Sequence, residues 1–212
     1  MLLVGTGNQH KLLEICAVLA DLPLRIVGLD HLPPGEDVEE TGTTFAQNAE
    51  IKALAFAVRA ATLPIDQRPH WVVADDSGLC VDALDGAPGV RSARYAGPVR
   101  SYSDNNARLL RELVDVPAGQ RGARFVCSIC CATVPATPAT TAEVLFRSEG
   151  VCPGTIALEE SGSGGFGYDP LFVEASTGRT FADLPSGTKN ELSHRGRALR
   201  DFHRKLLALV DV

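Results

Sequence analysis

The stretch DDSGLCVDALDGAPGVRSARYAG, residues 75–97, decides the fold of this chain. Two adjacent carboxylates, Asp75 and Asp76, follow the apolar run at 71–74, which predicts a central strand over 71–75 that ends at this motif. A buried acidic pair is costly unless it holds a cation, a proton or a partner. Because open α/β sheets bind ligands beyond the carboxyl ends of their strands, the pair marks a candidate site.

Two strand-and-helix units are predicted before this stretch. A strand over 1–5 leads into a helix that Asn8 caps, and this loop is either an ordinary cap or a short anion cradle with Lys11 one turn inside. A second strand over 24–29 precedes a long helix, which Thr44 and Gln47 open as a capping box. Asn48 and Lys52, four residues apart, share one face of that helix.

After the acidic stretch, the pattern predicts a helix over 102–113 and a hairpin of strands over 124–134 and 143–148. The loop SGSGGFGYDP, residues 161–170, is not a dinucleotide fingerprint, because Pro170 prevents a helix from opening there. It is either a plain hinge or a loop that presents Phe166, Tyr168 and Asp169 to a planar heterocycle. The role of residues 91–95 stays open among nucleotide contact, support of the acidic loop and a dimer contact.

The last helix is predicted to begin at Ser193, with Leu199, Phe202, Leu206 and Leu209 on its buried side. His194 and Arg195 then fall in its first turn, where cations are electrostatically unfavourable, so we expect an anion or acceptor against them.

Composition narrows the class of protein. The chain has 212 residues, 45% of them hydrophobic, and a formal net charge of −6, which argues against binding duplex nucleic acid by phosphate neutralisation. We find neither a basic leader nor an uncharged apolar run long enough to span a membrane, so a cytoplasmic location is expected. The six cysteines have no zinc-like spacing and are interpreted as buried thiols of strands rather than as metal or redox groups.

Five motifs in this order resemble those of the inosine triphosphate pyrophosphatase family, whose members hydrolyse nonstandard purine nucleoside triphosphates to the monophosphate and pyrophosphate. The motifs are TGNQHKLLE, EETGTTFAQNAEIKA, the acidic stretch, GGFGYDPLF and SHRGRAL. The resemblance covers nearly the whole chain. It implies one domain over residues 1–212, with a long mixed central sheet flanked by helices and two lobes with the active-site groove between them. It also implies a homodimer.

The resemblance further implies the residues of the site. Asp76 is expected to be the catalytic proton acceptor and a Mg²⁺ ligand, and Glu39 the second metal-binding residue. The substrate-binding residues that it implies are Thr6, Gly7, Asn8, Gln9, His10, Lys11, Lys52, Ser77, Phe166, Gly167, Tyr168, Asp169, Lys189, His194 and Arg195.

These assignments predict hydrolysis of ITP, dITP and XTP, with the metal and lysines stabilising charge on the leaving pyrophosphate. Arg195 has only hydrogen-bond donors, so it should favour the 6-keto group of hypoxanthine and xanthine over the amino group of adenine. Two alternatives remain: a pyrophosphatase for other modified nucleotides, and a nucleotide-binding regulator without turnover.

The chain departs from the family pattern at two places. Gly5 stands where alanine is usual, which is expected to loosen the exit of the first strand. The longer segment over 63–70 is expected to be a surface insertion.

Overall fold

The architecture consists of one six-stranded sheet and five α-helices within the part of the chain that the computed structural model describes, residues 1–99 and 101–210. The strands are β1 Leu2–Val4, β2 Ile26–Val27, β3 Trp71–Val81, β4 Gly122–Thr133, β5 Val144–Ile156 and β6 Phe172–Glu174. The helices are α1 Gln9–Val18, α2 Phe45–Ala60, α3 Tyr102–Glu112, α4 Ser186–Leu192 and α5 His194–Val210.

The strands lie in the order β2-β1-β3-β4-β5-β6. β1 pairs in parallel with both β2 and β3, whereas β5 and β6 are antiparallel, so the sheet is mixed. The predicted class, an α/β fold with a mixed central sheet flanked by helices, is therefore confirmed. The groove between two lobes stays a prediction.

Strand β3 is longer than predicted. It runs through the acidic pair to Val81, and the prediction that it ends at 75 is wrong, because the fully buried Leu79 and Val81 continue the apolar pattern. In the parallel pairing of β1 with β3, Val4 lies opposite Val73, and β1 ends there. The acidic pair consequently still lies just beyond the carboxyl end of β1, as the general rule for such sheets predicts.

The chain divides into two compact units, and each has its own apolar core. The first comprises Met1–Asp76, Ser128–Glu149 and the chain from Ala198 on, and its core includes Leu3, Phe56 and Val72. The second comprises Ser77–Cys127 and Gly150–Arg197, and its core includes Leu79, Phe125 and Phe172.

Local signals position the helix starts as predicted. The Asn8 side chain accepts hydrogen bonds from the backbone N–H groups of His10 and Lys11, and Thr44 forms a capping box with Gln47. At α5, the Ser193 hydroxyl accepts a hydrogen bond from the backbone N–H of Gly196.

The apolar side of α5 is shorter than predicted. Leu199, Phe202 and Leu206 are buried, but Leu209 is 40% exposed, so its assignment to the buried side is wrong. The short helix α4 carried no clear sequence signal.

Gly5 is tightly packed, contrary to the expected loosening of the first strand. Its backbone N–H donates to the carbonyl of Val73 at 2.7 Å. A Cβ atom at this position would lie 2.6 Å from the ring of Phe56. The aromatic ring therefore fills the space that an alanine methyl group would need.

Most cysteines are buried, as the sequence predicted. All six are free thiols, and only Cys16 is partly exposed. Burial raises the pKa of Cys130 to about 11 and that of Cys131 to about 12, so both thiols stay protonated near neutral pH.

In the 63–70 segment, Ile65 is 83% exposed, which agrees with a surface position. No described helix combines the length and apolar content needed to cross a bilayer.

Candidate active site

The two carboxylates of β3 are held by different helices. Successive side chains of a strand point to opposite faces, which gives the two adjacent aspartates different hydrogen-bond partners. Asp75 accepts a hydrogen bond from Lys11 Nζ of α1 at 2.8 Å. Asp76 instead faces α2, where Asn48 Nδ2 donates to its Oδ2 at 3.1 Å and Lys52 Nζ lies 3.4 Å from its Oδ1. Each carboxylate thus has its own lysine.

Glu40 completes the charged group around Lys52. Its Oε1 lies 3.1 Å from Lys52 Nζ, whereas the neighbouring Glu39 is exposed. The Asn48 amide is fixed in the orientation that donates to Asp76, because its Oδ1 accepts a hydrogen bond from the backbone N–H of Gly42 at 2.8 Å. We refer to Lys11, Glu40, Asn48, Lys52, Asp75 and Asp76 as the acidic cluster.

Burial raises the pKa of Asp76 and neighbouring carboxylates raise that of Lys52, and both shifts affect how these groups can take part in proton transfer. Burial raises the pKa of Asp76, and this effect outweighs the lowering by Lys52 and Lys11. For Lys52, burial alone would lower the pKa, but the carboxylates of Asp76, Asp75 and Glu40 outweigh it and raise the pKa. Lys52 is therefore a cation at neutral pH, and Asp76 is a stronger base than a free aspartate.

The loop that precedes α1 is ordered by its own hydrogen bonds. The backbone N–H of Asn8 donates to Thr6 Oγ1 at 3.2 Å, and the Asn8 side chain caps the N–H groups of His10 and Lys11. An ordinary Asn-capped helix start is thus present. Lys11 lies less than one turn inside α1 and brings its ammonium group to the acidic cluster.

Asp169 organises the glycine-rich loop in the second unit. Its Oδ2 accepts hydrogen bonds from the backbone N–H of Phe166 at 2.7 Å and from Lys189 Nζ at 2.8 Å. Gly165 has a φ of +72°, and a Cβ atom there would lie 2.0 Å from the same carboxylate oxygen. Only glycine allows the carboxylate to approach the loop this closely.

Two cations lie over the ring of Phe166. Lys189 Nζ is 4.8 Å from the ring centroid and Arg195 Cζ is 5.8 Å from it, which is within the range of cation–π attraction. Arg195 also donates from Nη2 to Ser77 Oγ at 3.4 Å. The ring of His194 stacks on Phe125, with 4.6 Å between centroids. We refer to Ser77, Phe166, Asp169, Lys189, His194 and Arg195 as the aromatic cluster.

Tyr168 contacts the stretch 91–95 at Ser92. The Tyr168 hydroxyl donates to the carbonyl of Ser92 at 2.8 Å, and the Ser92 hydroxyl accepts from the backbone N–H of Leu79 at 2.9 Å. Asn105 of α3 donates to the same Ser92 carbonyl at 3.3 Å. Ser92 therefore ties β3, two residues after Ser77, to the glycine-rich loop and to α3. Among the open alternatives for this stretch, these contacts favour support of the acidic strand.

Several of the expected residues fall into two groups, one in each unit, whereas the exposed Glu39 belongs to neither group. Lys11, Lys52 and Asp76 belong to the acidic cluster, and Gly167 and Tyr168 lie in the loop of the aromatic cluster. Sequence reasoning missed the roles of Glu40 and Ser92. The paired glutamates at 39 and 40 were a signal for an acidic contact, but nothing in the pattern selects which of them meets Lys52. A serine inside a turn carries no signal of its own.

Comparisons with known proteins agree on one family. The sequence profile of the Ham1 family matches residues 2–205. A dITP/XTP pyrophosphatase from Rhodopirellula baltica is 45% identical over 209 residues, covering 99% of this chain and 94% of that protein. A dITP/XTP pyrophosphatase from Nocardia farcinica is 47% identical over 212 residues, covering 99% of this chain and 96% of that protein. The solved structure of the Staphylococcus aureus Ham1 protein superposes with a TM-score of 0.80 at 35% identity, covering 98% of each chain.

Proposed function

Because this chain belongs to the Ham1 family, we propose that it hydrolyses nonstandard purine nucleoside triphosphates, namely ITP, dITP and XTP, to the monophosphate and pyrophosphate. The observation that carries the proposal is the match over nearly the full length to relatives named dITP/XTP pyrophosphatase. The acidic cluster supports it, because a buried carboxylate with a raised pKa, held by an amide and a lysine, suits a general base.

Asp76 is the residue we assign to proton transfer. It accepts a proton from the water that attacks the α-phosphorus, and the bond from that phosphorus to the bridging oxygen breaks as pyrophosphate leaves. Asn48 holds one oxygen of Asp76, which fixes the orientation of the carboxylate. Lys11 and Lys52 supply positive charge where the triphosphate accumulates negative charge. The loop residues Thr6, Gly7, Asn8, Gln9 and His10 are proposed to line the triphosphate with Lys11.

The residues present fit a divalent cation of the Mg²⁺ type. Among the described residues, no three His, Cys, Asp or Glu side chains gather into a metal-binding group. Proteins commonly bind Mg²⁺ through one or two carboxylates together with substrate phosphates and waters, and Asp76 and Glu39 both offer carboxylate oxygens. We propose that Asp76 and Glu39 hold it. When bound, the cation would neutralise charge on the leaving pyrophosphate.

Glu39 and Glu40 can be separated experimentally. Because Glu40 contacts Lys52 and Glu39 is exposed, Glu39→Gln should weaken Mg²⁺ binding, measured by calorimetry in the presence of a nonhydrolysable ITP analogue. Glu40→Gln serves as the matched variant and should leave Mg²⁺ binding closer to that of the wild type. The reverse order would assign the metal to Glu40.

The aromatic cluster is proposed to bind the base. Phe166 offers a ring for stacking, and Asp169, Lys189 and Arg195 place charged hydrogen-bonding groups around it. The Arg195 guanidinium only donates, so it matches the 6-keto group of hypoxanthine and xanthine and meets a like donor on adenine. Ser77 and His194 are proposed as further nucleotide contacts, together with Gly167 and Tyr168.

One panel of substrates tests the proposed function. Purified protein is supplied with ITP, dITP, XTP, ATP, GTP and dUTP, with and without Mg²⁺, and pyrophosphate is assayed separately from single phosphate. We expect Mg²⁺-dependent release of pyrophosphate from the first three substrates and little from ATP. Preferred hydrolysis of dUTP would favour the alternative of a pyrophosphatase for other nucleotides, and binding without release would favour a regulator.

The homodimer and the absence of stable nucleic-acid binding stay predictions, which sedimentation and gel-shift measurements test.

A further inference from the structure

Tyr102 is an exposed aromatic residue next to the glycine-rich loop. It is the first residue of α3 and is 44% exposed. Its ring centroid lies 6.2 Å from that of Phe166, and the two planes are tilted by 42°. Rings at this distance and tilt are in aromatic contact, so together they form one continuous surface against which a planar group can lie.

The position of Tyr102 is fixed by the rest of α3. Residues three and four apart share a helix face, so Tyr102 lies on the same face as Asn105 and Asn106. Both asparagines are buried. Asn105 Oδ1 accepts from the backbone N–H of Ala96 at 2.7 Å, and Asn106 Nδ2 donates to Glu160 Oε1 at 2.8 Å. One face of α3 is thereby attached both to the segment around Ser92 and to the residues that lead into the glycine-rich loop.

The surroundings of Phe166 explain why a second aromatic ring, that of Tyr102, would help to bind a base. Lys189 and Arg195 lie over the Phe166 ring, and both cations already attract its π electrons. A base that met Phe166 alone would share the ring with these cations. Tyr102 enlarges the aromatic surface at the same place, and because α3 already fixes its backbone, only its side chain has to be ordered on binding.

We propose that Tyr102 contacts the purine base and, with Phe166, forms a two-ring surface that binds it. The inference rests on the proposed function in that the ligand is a purine nucleotide. It gives a binding role to a residue of α3 that lies outside the five motifs on which the family resemblance rests. Aromatic stacking depends on the ring and not on the hydroxyl. A phenylalanine at position 102 should therefore preserve binding of the base, and an aliphatic side chain should not.

Binding of two ligands tests this assignment without requiring turnover. Calorimetry compares a nonhydrolysable ITP analogue, which has the base, with inorganic tripolyphosphate, which lacks it. The variants are Tyr102→Phe, Tyr102→Leu and Tyr102→Ala, with Val114→Ala as a control at an exposed apolar residue just after α3. We expect about tenfold weaker analogue binding for alanine, a smaller loss for leucine and less than about twofold change for phenylalanine and the control. Tripolyphosphate binding should be the same in all.

Two outcomes would overturn the assignment. In one, Tyr102→Ala binds the analogue as the wild type does. In the other, the variant weakens tripolyphosphate and analogue binding equally, which would indicate a general structural role. A wild-type protein that binds the analogue but releases no pyrophosphate from ITP would count against the proposed function alone. A wild type that does not bind the analogue would contradict both.

Discussion

Lys52 Nζ lies 3.4 Å from Oδ1 of Asp76, and the same ammonium group lies 3.1 Å from Oε1 of Glu40. The carboxylate assigned as general base is therefore already beside a fixed positive charge. Lys11 bears the same relation to Asp75, at 2.8 Å. These contacts show how the chain keeps a largely buried acidic pair in a folded protein, since each buried charge is paired.

Asp76→Asn should abolish turnover of ITP while nucleotide binding is largely kept. The amide has nearly the shape of the carboxylate but cannot accept the proton of the attacking water. Initial rates of pyrophosphate release and calorimetric binding of the nonhydrolysable analogue measure the two effects. Asp82→Asn is the matched control, because Asp82 follows β3 and its side chain makes an exposed ion pair with Arg124. Turnover near the wild-type rate in Asp76→Asn would remove Asp76 from the chemistry.

The pH dependence should report Asp76. Burial raises its pKa, so the ionised base is lost at a higher pH than for a free aspartate, and kcat/KM should rise from mildly acidic to neutral pH. Lys52 lowers this pKa, so Lys52→Met should move the acidic midpoint to higher pH in addition to reducing the rate. Lys205→Met, which removes an ammonium group bound to Asp201, should leave the midpoint in place. A flat profile in the wild type would contradict the assignment.

Arg195→Ala should cost base discrimination more than chemistry. The guanidinium donates to Ser77 and lies over Phe166, the ring that is proposed to stack on the base. We expect the ratio of kcat/KM for ITP to that for ATP to fall by about tenfold or more, because a lost hydrogen bond to the correct base removes its advantage. Equal losses with both substrates would refute a role in discrimination.

Gly5→Ala should destabilise the fold even though the new side chain is a single methyl group. Its Cβ would lie 2.6 Å from the Phe56 ring, and overpacking of this kind costs about 1–3 kcal/mol. Urea unfolding measures the change in the free energy of unfolding. In a Phe56→Leu background the same substitution should cost less, because the smaller side chain leaves room. The same cost in both backgrounds would show that the ring is not the cause.

The sequence predicted what local chemistry determines. Asn8, Thr44 and Ser193 mark helix starts through their own hydrogen bonds, and the structure places them there. The length of β3 was not predicted, because aspartates are unfavourable in strands and the side chains that hold Asp75 and Asp76 there come from helices distant in sequence.

The sequence pattern also did not predict which residues distant in sequence contact each other. Lys11 and Asp75 are 64 positions apart, and Tyr168 and Ser92 are 76 positions apart. The choice of Glu40 over Glu39 beside Lys52 depends on the path of the loop before α2, which no periodicity encodes. The resemblance supplied the order of the motifs but not these contacts.

The most direct test of the central claim is to hydrolyse ITP in water enriched in ¹⁸O with Mg²⁺ present and to locate the label by mass spectrometry. Attack of water on the α-phosphorus predicts one ¹⁸O in inosine monophosphate and none in the pyrophosphate released beside it. Label in pyrophosphate, or release of single phosphate with inosine diphosphate, would contradict the account.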